Sequence, residues 1–297
     1  MSEPDLIPVK NVDPDRANPM IWEQEEPAQG VFVNAGDDTD PLALLGVPAM
    51  QRPAPARLPI DFEPGPALLG RLASLRRAIR GAAAEEAGVG PIQLADLDGQ
   101  SRQALAEMLG AGEVSGAVVL DGVSYRITES VLTGIWQVGG SDGSQWLEVA
   151  PVPAVVARAA DSLRPAPFPL PPALPGLMNG LPVLAEINEH ASGWRPGSGP
   201  NRVLNFSLLP MSPQDQALLI DTLGRADLTL DSGGYGNCRV MATRVRHVWA
   251  VQYINGLGHT ILDTIEIGGV PDAAVAARED FEDSAGRLDD ILAVYGL

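Results

Sequence analysis

Two stretches of the chain carry apolar residues at the spacing of a helix. The apolar positions are Leu68, Leu72, Leu75 and Ile79 in the first stretch and Phe281, Ala285, Leu288 and Leu292 in the second. This period predicts amphipathic helices that pack one face on a core. Arginines occupy the other face of the first helix, and acidic residues mostly occupy the other face of the last one.

Between these helices, the pattern of one segment recurs in another. The first copy begins IQLADLDGQSRQALAEMLGAGEV and the second begins FSLLPMSPQDQALLIDTLGRADL. Asp98 and Ser212 precede the two predicted helices, where a short polar side chain caps free amides. Gly110 and Gly224 follow the helices, as expected of residues that adopt positive φ at a helix end. We interpret the two segments as an internal repeat.

Short β-rich runs follow the helix of each copy. They are AVVLD, VSYRITES, TGIWQV and QWLEVAPV in the first copy, and LTLDS, NCRVMATR, HVWAVQYIN and TILDTIEIGGV in the second. The gaps between runs are too short for crossover helices, so the strands should form antiparallel meanders. Each copy then passes through Val-Pro into an alanine-rich helix. The predicted fold is α+β, with an internally duplicated α-β-β-β-β-α unit and a proline-rich, largely extended N-terminus.

Two proline-rich segments divide the chain. Residues 1–66 hold 12 of the 27 prolines and 12 acidic residues against four basic ones, which favours an extended or disordered tail. Large apolar side chains such as Trp22 leave open that this tail docks on its own domain or on a partner. Seven prolines between Pro165 and Pro182 predict a stiff connector. The predicted divisions are the acidic tail 1–66, the first repeat 67–164, the connector 165–182 and the second repeat 183–297.

Charge and composition narrow the class of protein. The net charge of −18 disfavours nucleic acid and anionic membranes as partners, because affinity for phosphates depends on cationic contacts. A single cysteine, Cys238, excludes an internal disulfide framework and any multi-cysteine metal site. The N-terminus lacks the pattern of a signal peptide, and no stretch is apolar enough for membrane insertion. We therefore expect a cytoplasmic protein.

Few residues suggest chemistry. The three histidines lack partners at metal-ligand spacing, and no nucleophile or nucleotide-binding motif occurs. The glycines of Gly233–Gly236 precede a strand rather than a helix, which indicates a turn rather than a phosphate site. We therefore expect no catalytic residues, no metal and no cofactor, and a protein that is not an enzyme.

The strongest candidates for a site lie in one stretch of the second copy. Arg239, Arg244, Arg246 and His247 form a concentrated basic cluster in an acidic chain. Arg244 and Arg246 match Val131 and Thr133 of the first copy, so these two arginines are specific to the second. We expect this cluster to bind a partner. Arg239 matches Arg126, which suggests a structural role for both, in pairs with nearby carboxylates. Cys238 is interpreted either as a core residue or as a thiol whose pKa is lowered by Arg239.

Residues 234–292 resemble the C-terminal region of the HupH/HyaF/HoxQ family of hydrogenase expression or formation proteins. The clusters GYGNCR, VWAVQY, TIE and EDSAGRL carry the resemblance, which extends back to about residue 67. Ser232-Gly233 and the loop 255–259 depart from the pattern expected in relatives. Positions in the shared motifs that are candidates for partner binding are Tyr235, Asn237, Cys238, Arg239, Arg244, Arg246, His247 and Trp249.

The resemblance implies an accessory protein of nickel–iron hydrogenase maturation. Such a protein would bind and protect the immature iron–sulfur small subunit before assembly and export, particularly under oxygen. The implied partners are the small-subunit precursor and a thioredoxin-like accessory protein of the HyaE/HoxO type. Two alternatives remain open, an iron–sulfur or redox-active factor that uses Cys238 and a scaffold within a larger maturation complex.

Overall fold

The computed structural model describes residues 62–84, 90–233, 237–255, 257 and 259–295. Within them the chain forms six α-helices and ten strands. The helices are α1 (Pro66–Ala83), α2 (Gly99–Leu109), α3 (Ala154–Asp161), α4 (Gly180–Gly193), α5 (Pro213–Leu223) and α6 (Arg278–Val294). The strands are β1 (Ile92–Gln93), β2 (Val114–Leu120), β3 (Val123–Glu129), β4 (Ile135–Gly140), β5 (Gln145–Val149), β6 (Arg202–Asn205), β7 (Leu228–Ser232), β8 (Asn237–Ala242), β9 (Val248–Ile254) and β10 (Thr260–Ile267).

All ten strands belong to one antiparallel sheet, with the order β1-β5-β4-β3-β2-β7-β8-β9-β10-β6. The short gaps predicted two meanders, and consecutive strands do pair from β2 to β5 and from β7 to β10. The meanders meet where β2 pairs with β7. Gly116 allows this close pairing, because a Cβ at that position would collide with the carbonyl oxygen of Thr229. Counted outward from the pair of β2 and β7, the strands follow equivalent orders in the two halves, β2-β3-β4-β5-β1 and β7-β8-β9-β10-β6. The duplication of the amino-acid sequence remains a prediction.

Helices pack on both sides of the sheet. Side A carries Arg126, Gln137, Arg239 and Ala250, whose positions alternate with those of side B along each strand. On side A, α1, α2 and α6 cover β4 and β5 at one end, and α4 and α5 cover β8 to β10 at the other. Side B is covered by α3 and by a 3-10 turn, Asp272–Ala274. Three buried clusters therefore stabilise one sheet by removing apolar surface from water.

The predicted helix faces and caps are confirmed. All eight apolar positions identified in the first and last helices are buried. Asp98 accepts a hydrogen bond from the backbone N–H of Ser101 at 2.8 Å, and Ser212 forms a capping box with Asp215. Gly110 and Gly224 end α2 and α5 with φ of 57° and 62°.

One predicted helix differs from the structure, and two observed strands were not predicted. The alanine-rich segment after Pro271 is a three-residue 3-10 turn, and a new helix begins at Arg278. The helix stops because the chain extends at Val275 and the N–H of Ala276 donates to the carbonyl of Pro151. The outer strands β1 and β6 were not predicted, because two and four residues are too few to show an alternating pattern. Most of the predicted tail lies outside the described residues.

Candidate functional site

The turn between β8 and β9 carries Arg244, Arg246 and His247 of the predicted basic cluster, whereas Arg239 lies within β8. Thr243 fixes its shape, because its hydroxyl accepts from the N–H of Val245 at 3.1 Å and donates to the carbonyl of Val248 at 2.9 Å. His247 closes the turn with a φ of 65°, a conformation that is uncommon for residues other than glycine. The N–H of Gly268 donates to the carbonyl of His247 at 2.8 Å. The turn is therefore held rigidly and presents its side chains in a defined direction.

Backbone contacts join this turn to the start of the connector. The N–H of Arg246 donates to the carbonyl of Arg164 at 2.8 Å, and the N–H of Arg164 donates to the carbonyl of Arg244 at 3.1 Å. Arg244 is exposed, and its Nε donates to the carbonyl of Arg225 at 3.2 Å. Arg164 also lies over the ring of Phe168, 5.5 Å from its centroid. Several positive charges thus meet at one end of the second half.

Two buried donors in this region have no hydrogen-bond partner among the described residues, namely Nε of Arg246 and Nε1 of Trp194. Trp194 follows α4 and packs against His247, with ring centroids 4.3 Å apart. Burial lowers the pKa of His247, and the charges of Arg246 and Arg195 lower it further, against the opposing effect of Asp161. His247 is therefore uncharged near neutral pH. We call Arg164, Trp194, Arg244, Arg246 and His247 the basic patch.

Cys238 does not lie in the basic patch. Its side chain is buried on side B, where burial and the charge of Glu266 raise the pKa of the thiol to about 11, against a hydrogen bond with Tyr253. The interpretation of Cys238 as a core residue is confirmed. The alternative, that Arg239 lowers this pKa, is wrong, because neighbouring residues of a strand point to opposite sides. Arg239 lies on side A, and its Nε donates to Asp231 at 2.7 Å. The thiol is thus protonated and shielded.

The remaining predicted site residues are dispersed. Trp249 is buried in the side B core, and Asn237 begins β8 in a half-buried position. Tyr235 lies outside the described residues. The structure therefore brings together Arg244, Arg246 and His247, but not the other candidates. Sequence reasoning missed Arg164 and Trp194, because both come from segments that are distant in the chain.

The described residues also bear on metal binding and on membrane insertion. They contain no group of three His, Cys, Asp or Glu side chains placed to hold a metal ion. None of the described helices combines the length and the apolar character needed to cross a membrane. His190 lies 3.8 Å from Glu186 on the same helix, and His259 is exposed.

Comparisons with known proteins identify the relatives of the chain. The model of the HupH hydrogenase expression protein, C-terminal conserved region, matches residues 177–295, which include most of the basic patch. The hydrogenase expression/formation protein HupH of Rhodobacter capsulatus is 39% identical over 254 residues, covering 84% of this chain and 90% of the relative. HupH of Rhizobium leguminosarum bv. viciae is 42% identical over 208 residues, covering 68% and 73%.

Further matches carry related names. The hydrogenase expression/formation protein HoxQ of Cupriavidus necator is 41% identical over 214 residues, covering 69% of this chain and 73% of the relative. Among solved structures, the hydrogenase expression protein HupH from Thiobacillus denitrificans is 28% identical, with a TM-score of 0.34, and covers 40% of this chain and 97% of that one. The sequence identity to these relatives shows that this chain belongs to the HupH family of hydrogenase expression/formation proteins.

Proposed function

We propose that the chain is a non-enzymatic accessory of nickel–iron hydrogenase maturation that binds the immature iron–sulfur small subunit. Binding precedes assembly and export, and protects the subunit particularly under oxygen. Membership of a family of hydrogenase expression/formation proteins supports the maturation role. The cytoplasm is the compartment in which such a complex forms, and a thioredoxin-like protein of the HyaE/HoxO type is a second partner.

The observation that carries the binding role is the exposed guanidinium group of Arg244 in the basic patch. The carbonyl of Arg244 accepts a hydrogen bond from the N–H of Arg164, and Arg246 follows two residues later in the same turn. The guanidinium group of Arg244 can donate to carbonyl or carboxylate oxygens of a docked protein. The basic patch also contains tryptophan and arginine, the residue types that often dominate the binding energy at protein interfaces.

A pull-down with the tagged full chain tests this proposal. The prey is the hydrogenase small-subunit precursor, compared with the mature subunit, under air and under nitrogen. We expect capture of the precursor but not of the mature subunit. Arg244→Gln together with Arg246→Gln should reduce capture at least about fivefold, since charge-assisted hydrogen bonds are lost. Unchanged capture by this double variant would refute the role of the basic patch.

A matched control uses two exposed arginines away from the basic patch. Arg77→Gln with Arg158→Gln removes the same charge, and Arg158 contacts only the exposed Asp121 in a surface ion pair. This variant should capture the precursor as well as the parent does, because exposed ion pairs contribute little. Failure of the parent to capture the isolated precursor would instead favour a scaffold within a larger complex.

The redox alternative depends on Cys238, and the structure offers it little support. A thiolate is the reactive form of cysteine, and burial with a pKa near 11 keeps the thiol protonated. Anaerobic reconstitution followed by iron and sulfide analysis separates the two functions. We expect colourless protein without bound iron. Brown protein that loses its iron on Cys238→Ser would overturn the non-redox proposal.

A further inference from the structure

The outermost strand of the second half, β6, leaves one of its two edges open. It pairs with β10 on one side and ends the strand order on the other. The N–H of Phe206 donates at 3.0 Å to the carbonyl of Asp263, which stands opposite it in the continued register. Alternate residues of an antiparallel strand bond to the same neighbour, so Leu204 also bonds to β10. Val203 and Asn205 therefore direct their backbone N–H groups away from the sheet.

These outward groups have no hydrogen-bond partner in the described part of the chain. Neither the N–H and carbonyl of Val203 nor the N–H of Asn205 bonds to a described residue. The carbonyl of Asn205 accepts from the N–H of Leu208 at 3.3 Å, so the open edge ends at this turn. A strand edge with free N–H and C=O groups is a template for a further strand.

β6 also lacks the features with which proteins usually protect a strand edge, namely proline, a bulge or an unpaired charge. It contains no proline, and its pairing with β10 has no register shift. Its one charged residue, Arg202, lies on side A, where its guanidinium group donates to Glu186 of α4 at 2.8 Å. The opposite edge of the sheet, β1, is only two residues long, which limits its pairing. The edge of β6 is therefore the more accessible of the two.

Exposed apolar side chains lie along this edge and at its end. Val203 lies on side B and is 49% exposed, while Leu208 and Ile261 are 81% and 64% exposed. The Ser207 hydroxyl accepts from the N–H of Asp263 at 3.4 Å. This contact holds the segment that carries Leu208 beside the start of β10, where Ile261 lies. A contiguous set of exposed apolar side chains favours a partner that covers it.

We propose that the open edge of β6 binds an extended segment of another protein, in which apolar residues alternate with polar ones. The segment adds a strand to the sheet, and its backbone groups bond to the N–H and carbonyl of Val203. Every second side chain of the segment faces side B and covers Val203, and one end of the segment reaches Leu208 and Ile261. The proposal does not depend on the maturation role, because it uses neither the basic patch nor Cys238.

Charge and strand length favour another protein over a second copy of this chain. Each copy carries a net charge of −18, so two copies repel each other. The four residues of β6 also bury much less surface than the roughly 800 Å² per partner of a standard interface. The chain's own N-terminal region is rich in proline and acidic residues, which disfavours its addition as a strand. A short segment without net charge meets none of these obstacles.

Fluorescence anisotropy of the labelled peptide KETVTVTVTVEK measures binding to the full chain. The reference peptide has the same side chains, but its central amides are N-methylated and cannot donate hydrogen bonds. We expect the unmodified peptide to bind at least about tenfold more tightly than the reference, because main-chain hydrogen bonds provide the affinity in strand addition. Equal binding of the two peptides would overturn the proposal.

Two variants of the full chain locate the binding. Val203→Pro removes the outward N–H and leaves the hydrogen bonds between β6 and β10 in place. Leu208→Ser with Ile261→Ser removes exposed apolar surface at the end of the edge. Each should weaken binding of the unmodified peptide at least about fivefold. The matched control, Leu174→Ser with Met178→Ser, changes two exposed apolar residues of the connector and should bind the peptide as the parent does.

Thermal unfolding of each variant shows whether it is folded. Peptide affinity that is unchanged in both edge variants would refute the site. If Val203→Pro does not fold, the double serine variant decides alone, because its side chains are exposed and their removal leaves the backbone unchanged.

Two further measurements test the occupant. Light scattering should give the mass of one chain for the parent, and a dimer that Val203→Pro dissociates would assign the edge to a second copy. Phe32→Pro interrupts the β-forming run Val31-Phe32-Val33 of the N-terminal region and should leave peptide affinity unchanged. An affinity that instead rises at least about fivefold would show that the chain's own segment competes for the edge, and would overturn the assignment to another protein.

Discussion

The two halves of the sheet share one backbone design and differ in what they expose. Ser130 and Thr243 build the same turn, since each hydroxyl accepts from the N–H two residues on and donates to a carbonyl of the turn. In the first half this turn is buried, with Gly134 against the ring of Phe281 in α6. In the second half the turn carries the basic patch. A covering helix thus decides whether one turn serves as core or as surface.

The comparison is reversed on side A. On that side, packed side chains leave no cleft over these strands of the second half, because Arg239 pairs with Asp231 and Met241 is buried. The first half leaves Arg126 at an open cleft between α2 and the sheet instead. Each half therefore leaves open a surface that packing closes in the other half. A repeated framework can in this way present two surfaces of different chemistry.

The largest effect on the free energy of unfolding is expected at the N-terminal ends of α5 and α2, whose capping carboxylates differ in burial. Asp215 is buried in α5, and its carboxylate accepts hydrogen bonds from the backbone N–H groups of Ser212, Met178, Asn179 and Gly180. Removing it leaves four donors unpaired, so Asp215→Ala should lower the free energy of unfolding by about 4 kcal/mol. In the first half, Asp98→Ala removes an exposed cap that bonds one backbone N–H, so the loss of stability should be much smaller. Urea denaturation of both variants measures the difference, and equal losses would contradict it.

A smaller effect concerns a carboxyl group that only the first half buries. Burial raises the pKa of Glu129 to about 7, although its Oε1 accepts from the N–H of Gly134 at 2.9 Å. Because the folded state holds this proton more tightly than the unfolded chain, the contribution of Glu129 to stability is greatest below about pH 4.5 and is lost as pH rises through about 7. The loss from this group is about 3 kcal/mol.

Glu129→Gln should remove that dependence, because the amide keeps an acceptor and carries no charge. Unfolding free energies at pH 5 and pH 8 test this, with Glu107→Gln as the exposed control. If the free energy of unfolding of the parent changes between pH 5 and pH 8 by as much as that of the variant, the buried carboxyl group is not the cause.

The smallest effect compares the two turns directly. Gly134 has a φ of 83°, and a Cβ there would lie 2.6 Å from the Phe281 ring, so Gly134→Ala should cost about 2–3 kcal/mol. His247 has a similar φ in a half-buried turn, and His247→Ala should change stability by less than about 1 kcal/mol, since it keeps the same backbone strain. Thermal unfolding of both variants checks the ranking. A larger loss at His247 would mean that its contact with Trp194 stabilises the fold strongly.

Local signals predicted much of the fold. The buried faces of α1 and α6, the caps at Asp98 and Ser212 and the helix ends at Gly110 and Gly224 depend on residues close in the chain. The meanders followed from gaps too short for crossovers. The pairing of β2 with β7 joins residues more than 100 positions apart, and no local pattern specifies it.

The candidate sites were less predictable for the same reason. The basic cluster was visible in the sequence, but Trp194 and Arg164 join it only through tertiary packing. The expected carboxylate partner exists for Arg239 and is missing for Arg126 among the described residues, which only strand register could reveal. The open edge of β6 follows from the place of this strand at the end of the sheet order, which no short motif encodes.

The junction of β2 with β7 has a consequence for how the chain can be divided. The family model begins at residue 177, so a fragment cut to that model would contain β7 without β2. Its first meander strand would then expose a row of unpaired N–H and C=O groups. Such an edge is completed by a strand from another molecule, so the fragment would pair with itself or with an extended peptide. A boundary that suits the sequence comparison therefore leaves a strand edge of the folded protein without its hydrogen-bond partners.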